Sequence, residues 1–176
     1  MKIYIIGMPG SGKTTIAKYL AKELNYTYYD LDAMIEKEAL LFIEDIFEKY
    51  GEETFRRLET EALEHIPQGD LVIACGGGIV TNKQNKTLMD GLKIYLDTDL
   101  DVIKKRLSND YQRPLLKKKT LEQLFDERYL KYQDFADVVV SNNVEIDTTV
   151  KVIMNYLSSE VMSWKYLFYT VRIWIC

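Results

Sequence analysis

The chain has 176 residues, a net charge of −4, and 47% apolar against 28% charged residues, which describes a folded domain and excludes a disordered or collagen-like chain. The acidic balance argues against a protein that mainly coats nucleic acid, so an anionic ligand requires a local cationic pocket. Cys75 and Cys176 are the only cysteines, which removes a disulfide framework and a four-thiolate site, and with His65 the only histidine a histidine zinc site or a Ser-His-Asp triad is nearly excluded.

Residues 2–6 form a β-branched and aromatic run that stops at Gly7, and this predicts a buried strand. The run is too short for a secretory leader. No apolar stretch approaches the roughly 18 residues of a membrane span, so a cytoplasmic location without a membrane partner is expected. Residues 13–24 read as a helix: Ile16, Leu20 and Leu24 recur every fourth position, and Ala17 and Ala21 widen the stripe. A second strand is predicted over 26–29, then a helix opening with Leu31, Met34 and Ile35. A helical pair covers 43–50 and 52–65, with Gly51 between them. Residues 71–75 form a third strand closed by Gly76, Gly77 and Gly78, and 81–90 are expected to be helical. A fourth strand at 93–96 precedes a helix over 99–108. The polar stretch 109–119, with Arg113 before Pro114, reads as a loop. A helix over 120–134, a fifth strand at 138–140 and a helix near 148–157 complete the pattern. Strands alternating with helices imply a parallel sheet covered on both faces, an α/β domain.

Residues 7–14, Gly-Met-Pro-Gly-Ser-Gly-Lys-Thr, match G-x-x-x-x-G-K-[ST] in full, between a predicted strand and a predicted helix. Glycines let the backbone curl so that successive N–H groups face phosphate oxygens, and the helix adds the positive end of its dipole. In this arrangement Lys13 reaches the β- and γ-phosphates and the Thr14 hydroxyl ligates Mg²⁺. The motif specifies a nucleotide and leaves the acceptor open.

Asp30 and Asp32 flank Leu31 at the C-terminal end of the second strand, the end that faces the ligand crevice of an open parallel sheet. One can support Mg²⁺ while the other accepts a proton from an attacking hydroxyl, or Asp32 merely caps the next helix. Spacing leaves both readings open. Phe55, Leu58 and Ala62 make an apolar helical stripe, and Glu59 falls within it. A buried carboxylate needs a partner, and Arg56, three residues earlier, is the nearest candidate. The pair is either structural or a held anion hook, while Arg57 points to solvent. Arg128 sits on a face with Leu121, Leu124, Phe125 and Tyr132, as a structural salt bridge or as an anion ligand. The glycines at 76–78 allow close approach of backbone to a ligand, or form a plain turn. Arg113, biased to extended geometry by Pro114, lies in a cationic loop able to close on a triphosphate. Lys117, Lys118 and Lys119 read as solvated.

The ordered set resembles the shikimate kinase family over about residues 1–158: the phosphate loop, Asp30-x-Asp32, Phe55-Arg56-Arg57-Leu58-Glu59, the three glycines, Arg113-Pro114-Leu115-Leu116, and Arg128 with Tyr132. The resemblance implies a three-layer P-loop kinase fold of the nucleoside-monophosphate-kinase type. Its parallel sheet has five strands in the order 2-3-1-4-5, with substrate-binding helices at about 31–65 and a mobile lid at about 109–119. It implies phosphorylation of the 3-hydroxyl of shikimate by ATP, in the chorismate pathway, by a monomer using one Mg²⁺ per site. Gly10, Ser11, Gly12, Lys13, Thr14, Thr15, Arg106 and Arg113 would bind ATP, with Arg106 stacked on adenine and Arg113 reaching the phosphates from the lid. Thr14, and Asp30 through water, would hold Mg²⁺. Asp32 would bind the shikimate hydroxyls and act as base or orienter. Arg56, Arg128 and the backbone of Gly77 and Gly78 would bind shikimate, and Glu59 would hold Arg56. The catalytic set is then Lys13, Asp32 and Arg113.

Two positions depart from the family's pattern. Cys75 stands where many relatives have Thr, a weaker hydrogen-bond partner. Ser141-Asn142-Asn143-Val144 replaces an adenine loop that often carries arginine, which leaves base recognition to backbone and Arg106. The aromatic tail 160–176 lies beyond the resemblance and is expected to pack on the body of residues 1–159; a partner surface, or a stretch foreign to the family, is the alternative. Two other functions compete. A gluconate-kinase-like enzyme is disfavoured by Arg56–Glu59 with the triple glycine, and a nucleotide-binding protein without transfer chemistry by Asp32 together with Arg128.

Overall fold

The computed structural model describes residues 1–107 and 119–172, with side chains through residue 159. The central strand, β1 (Lys2–Ile6), is buried along its whole length. It lies between β3 (Leu71–Ala74) and β4 (Leu92–Asp97), while β2 (Thr27–Asp30) and β5 (Val138–Ser141) form the edges. The order is β2-β3-β1-β4-β5 and every pairing is parallel, as the resemblance implies.

The strand period of two explains the three layers. Ile3 and Ile5 on β1, Val72 and Ala74 on β3, and Ile94 and Leu96 on β4 face one apolar cluster. That cluster is completed by Ile16, Ala17, Leu20 and Ala21 of α1 (Lys13–Leu24) and by Val150, Ile153 and Leu157 of α7 (Ile146–Arg172). The intervening Tyr4, Ile6, Ile73 and Tyr95 face the other cluster, which holds α2 (Leu31–Ala39), α3 (Ile43–Glu64) and α6 (Leu121–Phe135).

The expected elements are present with shifted ends. Tyr26 N–H returns to the Ala21 carbonyl at 2.8 Å after Asn25 adopts a left-handed conformation, so β2 starts at Thr27. Gly51 (φ 82°, ψ 172°) interrupts α3, as the sequence predicts. The helix expected over 81–90 shrinks to a 3-10 turn, Ile79–Thr81, and α4 (Gln84–Leu88). Asn82 is the cause: its side chain accepts the Gln84 N–H at 3.1 Å and starts the helix only there. α5 (Leu100–Leu107) follows β4, and a reciprocal capping box of Thr120 and Gln123 opens α6. α7 runs well past the expected end at 157, to Arg172. Arg113 and most of the expected lid lie outside the described residues, as do the tail's side chains. Among the described residues, no helix is long and apolar enough to cross a membrane.

Candidate active site

Parallel strands bring all their C-terminal ends to one edge of the sheet. There the segments after β1, β2, β3 and β4 surround two cavities that share Asp32 and Gly77.

The smaller cavity, of about 390 Å³, is lined by Gly10, Gly12, Lys13, Thr14 and Thr15, with Asp30, Asp32, Cys75, Gly77 and Arg106. Gly12 caps α1 at φ 94°, a left-handed conformation that favours glycine, and the Ser11 N–H closes the loop on the Met8 carbonyl at 3.1 Å. Lys13 Nζ donates to the Met8 carbonyl at 2.9 Å. Ser11 is fully buried and is absent from the lining. Arg106, expected at the adenine, donates to the Ser11 and Asn142 carbonyls at 3.2 and 3.1 Å while lining the cavity.

The two aspartates divide their tasks differently from the helix-cap reading of Asp32. Asp30 is the N-cap of α2: Oδ1 accepts the Ala33 N–H at 3.2 Å and Oδ2 accepts the Tyr28 hydroxyl at 2.6 Å. Asp32 sits in the first helical turn and reaches both cavities.

The larger cavity, of about 550 Å³, is lined by Asp32, Arg56, Glu59, Gly76, Gly77, Gly78 and Arg128, with Phe47 and Phe55 on one wall. Its size is that of a small-molecule site. Glu59 is 0% exposed, and its Oε2 pairs with Arg56 Nη1; Arg56 also pairs with Glu52 at 2.9 Å. Burial pushes the Glu59 carboxyl up to about 7, against the opposing pull of Arg56. Arg57 faces solvent and pairs with Glu61 at 2.7 Å, as expected.

Arg128 is 2% exposed, and its Nη1 donates to the Gly77 carbonyl at 2.9 Å. The same carbonyl accepts the Tyr132 hydroxyl. Among the described residues Arg128 has no salt-bridge partner, and its bond to Gly77 anchors the guanidinium on the apolar face of α6. Among the described residues, Arg128 Nε and Glu59 Oε1 have no hydrogen-bond partner, so both keep bonding capacity at this cavity.

Sequence reasoning placed Tyr132 on an apolar face and beside Arg128 in the resemblance without giving its hydroxyl a role, and it assigned no role to Asn142 or Thr98, which hold the Ser11 carbonyl. A signal was available for Asn142: it is the first residue after β5, at the edge where the other site segments emerge. Cys75 is buried, and burial pushes its thiol up, so it packs as a neutral side chain beside the phosphate loop.

Comparison with known proteins agrees with this arrangement. The family model for shikimate kinase matches residues 9–158. A shikimate kinase of Rippkaea orientalis is 40% identical over 168 residues, covering 92% of this chain and 90% of that protein. One from Sulfurihydrogenibium is 43% identical over 136 residues, covering 74% of this chain and 82% of that protein. The solved shikimate kinase of Acinetobacter baumannii, in complex with shikimate, superposes with a TM-score of 0.83 at 34% identity, covering 90% of this chain and 93% of that one. With the phosphate loop, the paired cavities and the parallel order 2-3-1-4-5 in place, this chain belongs to the shikimate kinase family and is a phosphotransferase with ATP as co-substrate.

Proposed function

We propose that this chain transfers the γ-phosphoryl group of ATP to the 3-hydroxyl of shikimate, in the cytoplasm. The observation that carries the reading is the place of Asp32: its carboxylate borders both the cavity of the phosphate loop and the cavity of Arg56 and Arg128. An acceptor whose carboxylate lies on the two arginines would present its ring hydroxyls toward Asp32. Asp32 then orients the attacking hydroxyl and takes its proton as the new P–O bond forms. The bond from the γ-phosphorus to the bridging oxygen breaks, and ADP leaves. Lys13 and the loop amides stabilise the charge on the transferring group.

The donors present suit Mg²⁺. Thr14, Asp30 and Asp32 are hard oxygen ligands on one cavity, and the two bonds that Asp30 already accepts fit a contact through water. Thr14 would hold the ion directly and Asp30 through water, and the ion would supply neutralisation of the phosphate charge during transfer. Arg113 would close on the phosphates and exclude water. Residues 1–159 carry all these groups, so one chain suffices, and 160–176 stand outside the reaction.

The test is ADP release with shikimate, quinate, gluconate or no acceptor. Turnover that requires shikimate supports the assignment. Turnover only with another acceptor would retain the kinase and discard the substrate.

A further inference from the structure

We propose that Asn142 is a positioning residue for phosphoryl transfer: it holds the Ser11 carbonyl away from the phosphate-binding face, and Thr149 orients the amide that does so. The inference rests on the nucleotide reading of the phosphate loop.

A backbone that aims consecutive N–H groups at an anion must turn its carbonyls elsewhere. The Ser11 carbonyl is turned onto three donors from three segments: Asn142 Nδ2 at 2.6 Å, Arg106 Nη1 at 3.2 Å and Thr98 Oγ1 at 3.4 Å. Asn142 makes the shortest of these bonds and is itself buried. Its other groups are all engaged. The backbone N–H donates to the Asp97 carbonyl at 2.8 Å, and the carbonyl accepts Arg106 Nη2 at 3.1 Å. Oδ1 accepts the hydroxyl of buried Thr149 at 2.8 Å.

The Ser11 carbonyl fixes the sense of the amide, because a flipped amide would set two oxygens against each other; the Thr149 hydroxyl, donating to Oδ1, then holds the amide in that place. Gly12 leaves the room required, since a Cβ there would lie 2.9 Å from Asn142 Nδ2. The phosphate loop is thus fastened from behind by α5, by the segments after β4 and β5, and through Thr149 by α7. Without the Asn142 donor, a buried carbonyl keeps only the two longer bonds, and the loop amides lose their alignment on the phosphates. The cavity of Arg56 and Arg128 shares none of these contacts.

The test measures dissociation constants for MgATP and for shikimate, with thermal midpoints, in the wild type, Asn142→Ala, Asn142→Asp and Thr149→Val. MgATP affinity should fall about tenfold or more in Asn142→Asp, and by a smaller factor in Asn142→Ala and Thr149→Val, with shikimate affinity within about twofold of wild type. The ranking distinguishes a donor from a space-filler. Aspartate keeps the shape but opposes the carbonyl with a carboxylate, so a purely structural role would make Asn142→Ala the worse variant. Unchanged MgATP affinity in the folded variants would overturn the proposal, and so would an equal loss for both ligands. If the Asn142 variants do not fold, Thr149→Val, which retains Asn142, decides by the same split. A wild type that binds no MgATP would overturn the proposed function and this inference together. A wild type that binds MgATP and turns over shikimate confines any failure to Asn142.

Discussion

The Arg56 guanidinium occupies the space that a side chain on Gly78 would need: a Cβ there would overlap Nη1, Nη2 and Cζ. Gly78 has φ −100° and ψ −1°, a conformation open to any residue, so its importance lies in this close approach and not in backbone freedom. Gly78→Ala should therefore raise the KM for shikimate about tenfold or more and leave MgATP affinity within about twofold. Steady-state kinetics with each substrate varied in turn checks the split.

Asp32 is expected to act on the chemical step. Asp32→Asn should lower kcat with shikimate by about 10²- to 10⁴-fold, the range for a lost general base, while MgATP still binds. Equilibrium binding beside single-turnover ADP formation separates the two effects. A variant with near-normal turnover would reduce Asp32 to a contact residue.

Glu59 makes stability depend on pH. Burial raises its folded pKa from the usual 4.5 to about 7, so between those values the native state holds a proton that the unfolded chain has lost. Its contribution is fully present below about 4.5 and is lost as pH rises through about 7. Glu59→Gln removes this titration. The stability difference between wild type and variant should shift in the variant's favour by up to about 3 kcal/mol from pH 4.5 to 8, read from urea midpoints across that range.

Tyr132 and Arg128 share the Gly77 carbonyl, and the Tyr132 ring stacks on Tyr95 with centroids 5.0 Å apart. Tyr132→Phe preserves the stacking and leaves Arg128 as the carbonyl's partner. It should cost about 1 kcal/mol, a fall in thermal midpoint of roughly 2–4 °C. A much larger fall would mean that Arg128 cannot keep its place alone.

The tail should be dispensable. Val150, Ile153 and Leu157 bury the packing stripe of α7 before residue 159. A chain ending at 159 should keep its shikimate-dependent activity within about twofold, and a folded but inactive truncation would place part of the site in 160–176.

Much of the fold was legible because its signals are local. The unbroken β-branched and aromatic run of β1, the spacing of Ile16, Leu20 and Leu24, and Gly51 between two helices each reflect the geometry of one element. The short helix after the triple glycine was not legible, because an asparagine side chain bond decides where it starts. The Arg56–Glu59 pair was legible for a related reason: both residues lie within one turn of α3, and a carboxylate on an apolar stripe requires a partner.

The sequence by itself determined the strand–helix alternation and the phosphate loop, placed Arg128 and the Arg56–Glu59 pair on apolar helical stripes, and carried the resemblance to the family. Tertiary structure alone decided which aspartate caps α2 and which spans the two cavities, because β2 ends one residue later than its pattern suggests. It alone assigned Arg128 and Tyr132 to the Gly77 carbonyl, more than 50 residues away. It alone gathered Thr98, Arg106 and Asn142 on the carbonyl of Ser11. Such bonds join loops at the ends of strands to one another and to helices far along the chain, and a parallel sheet brings them together only after its long crossovers have folded.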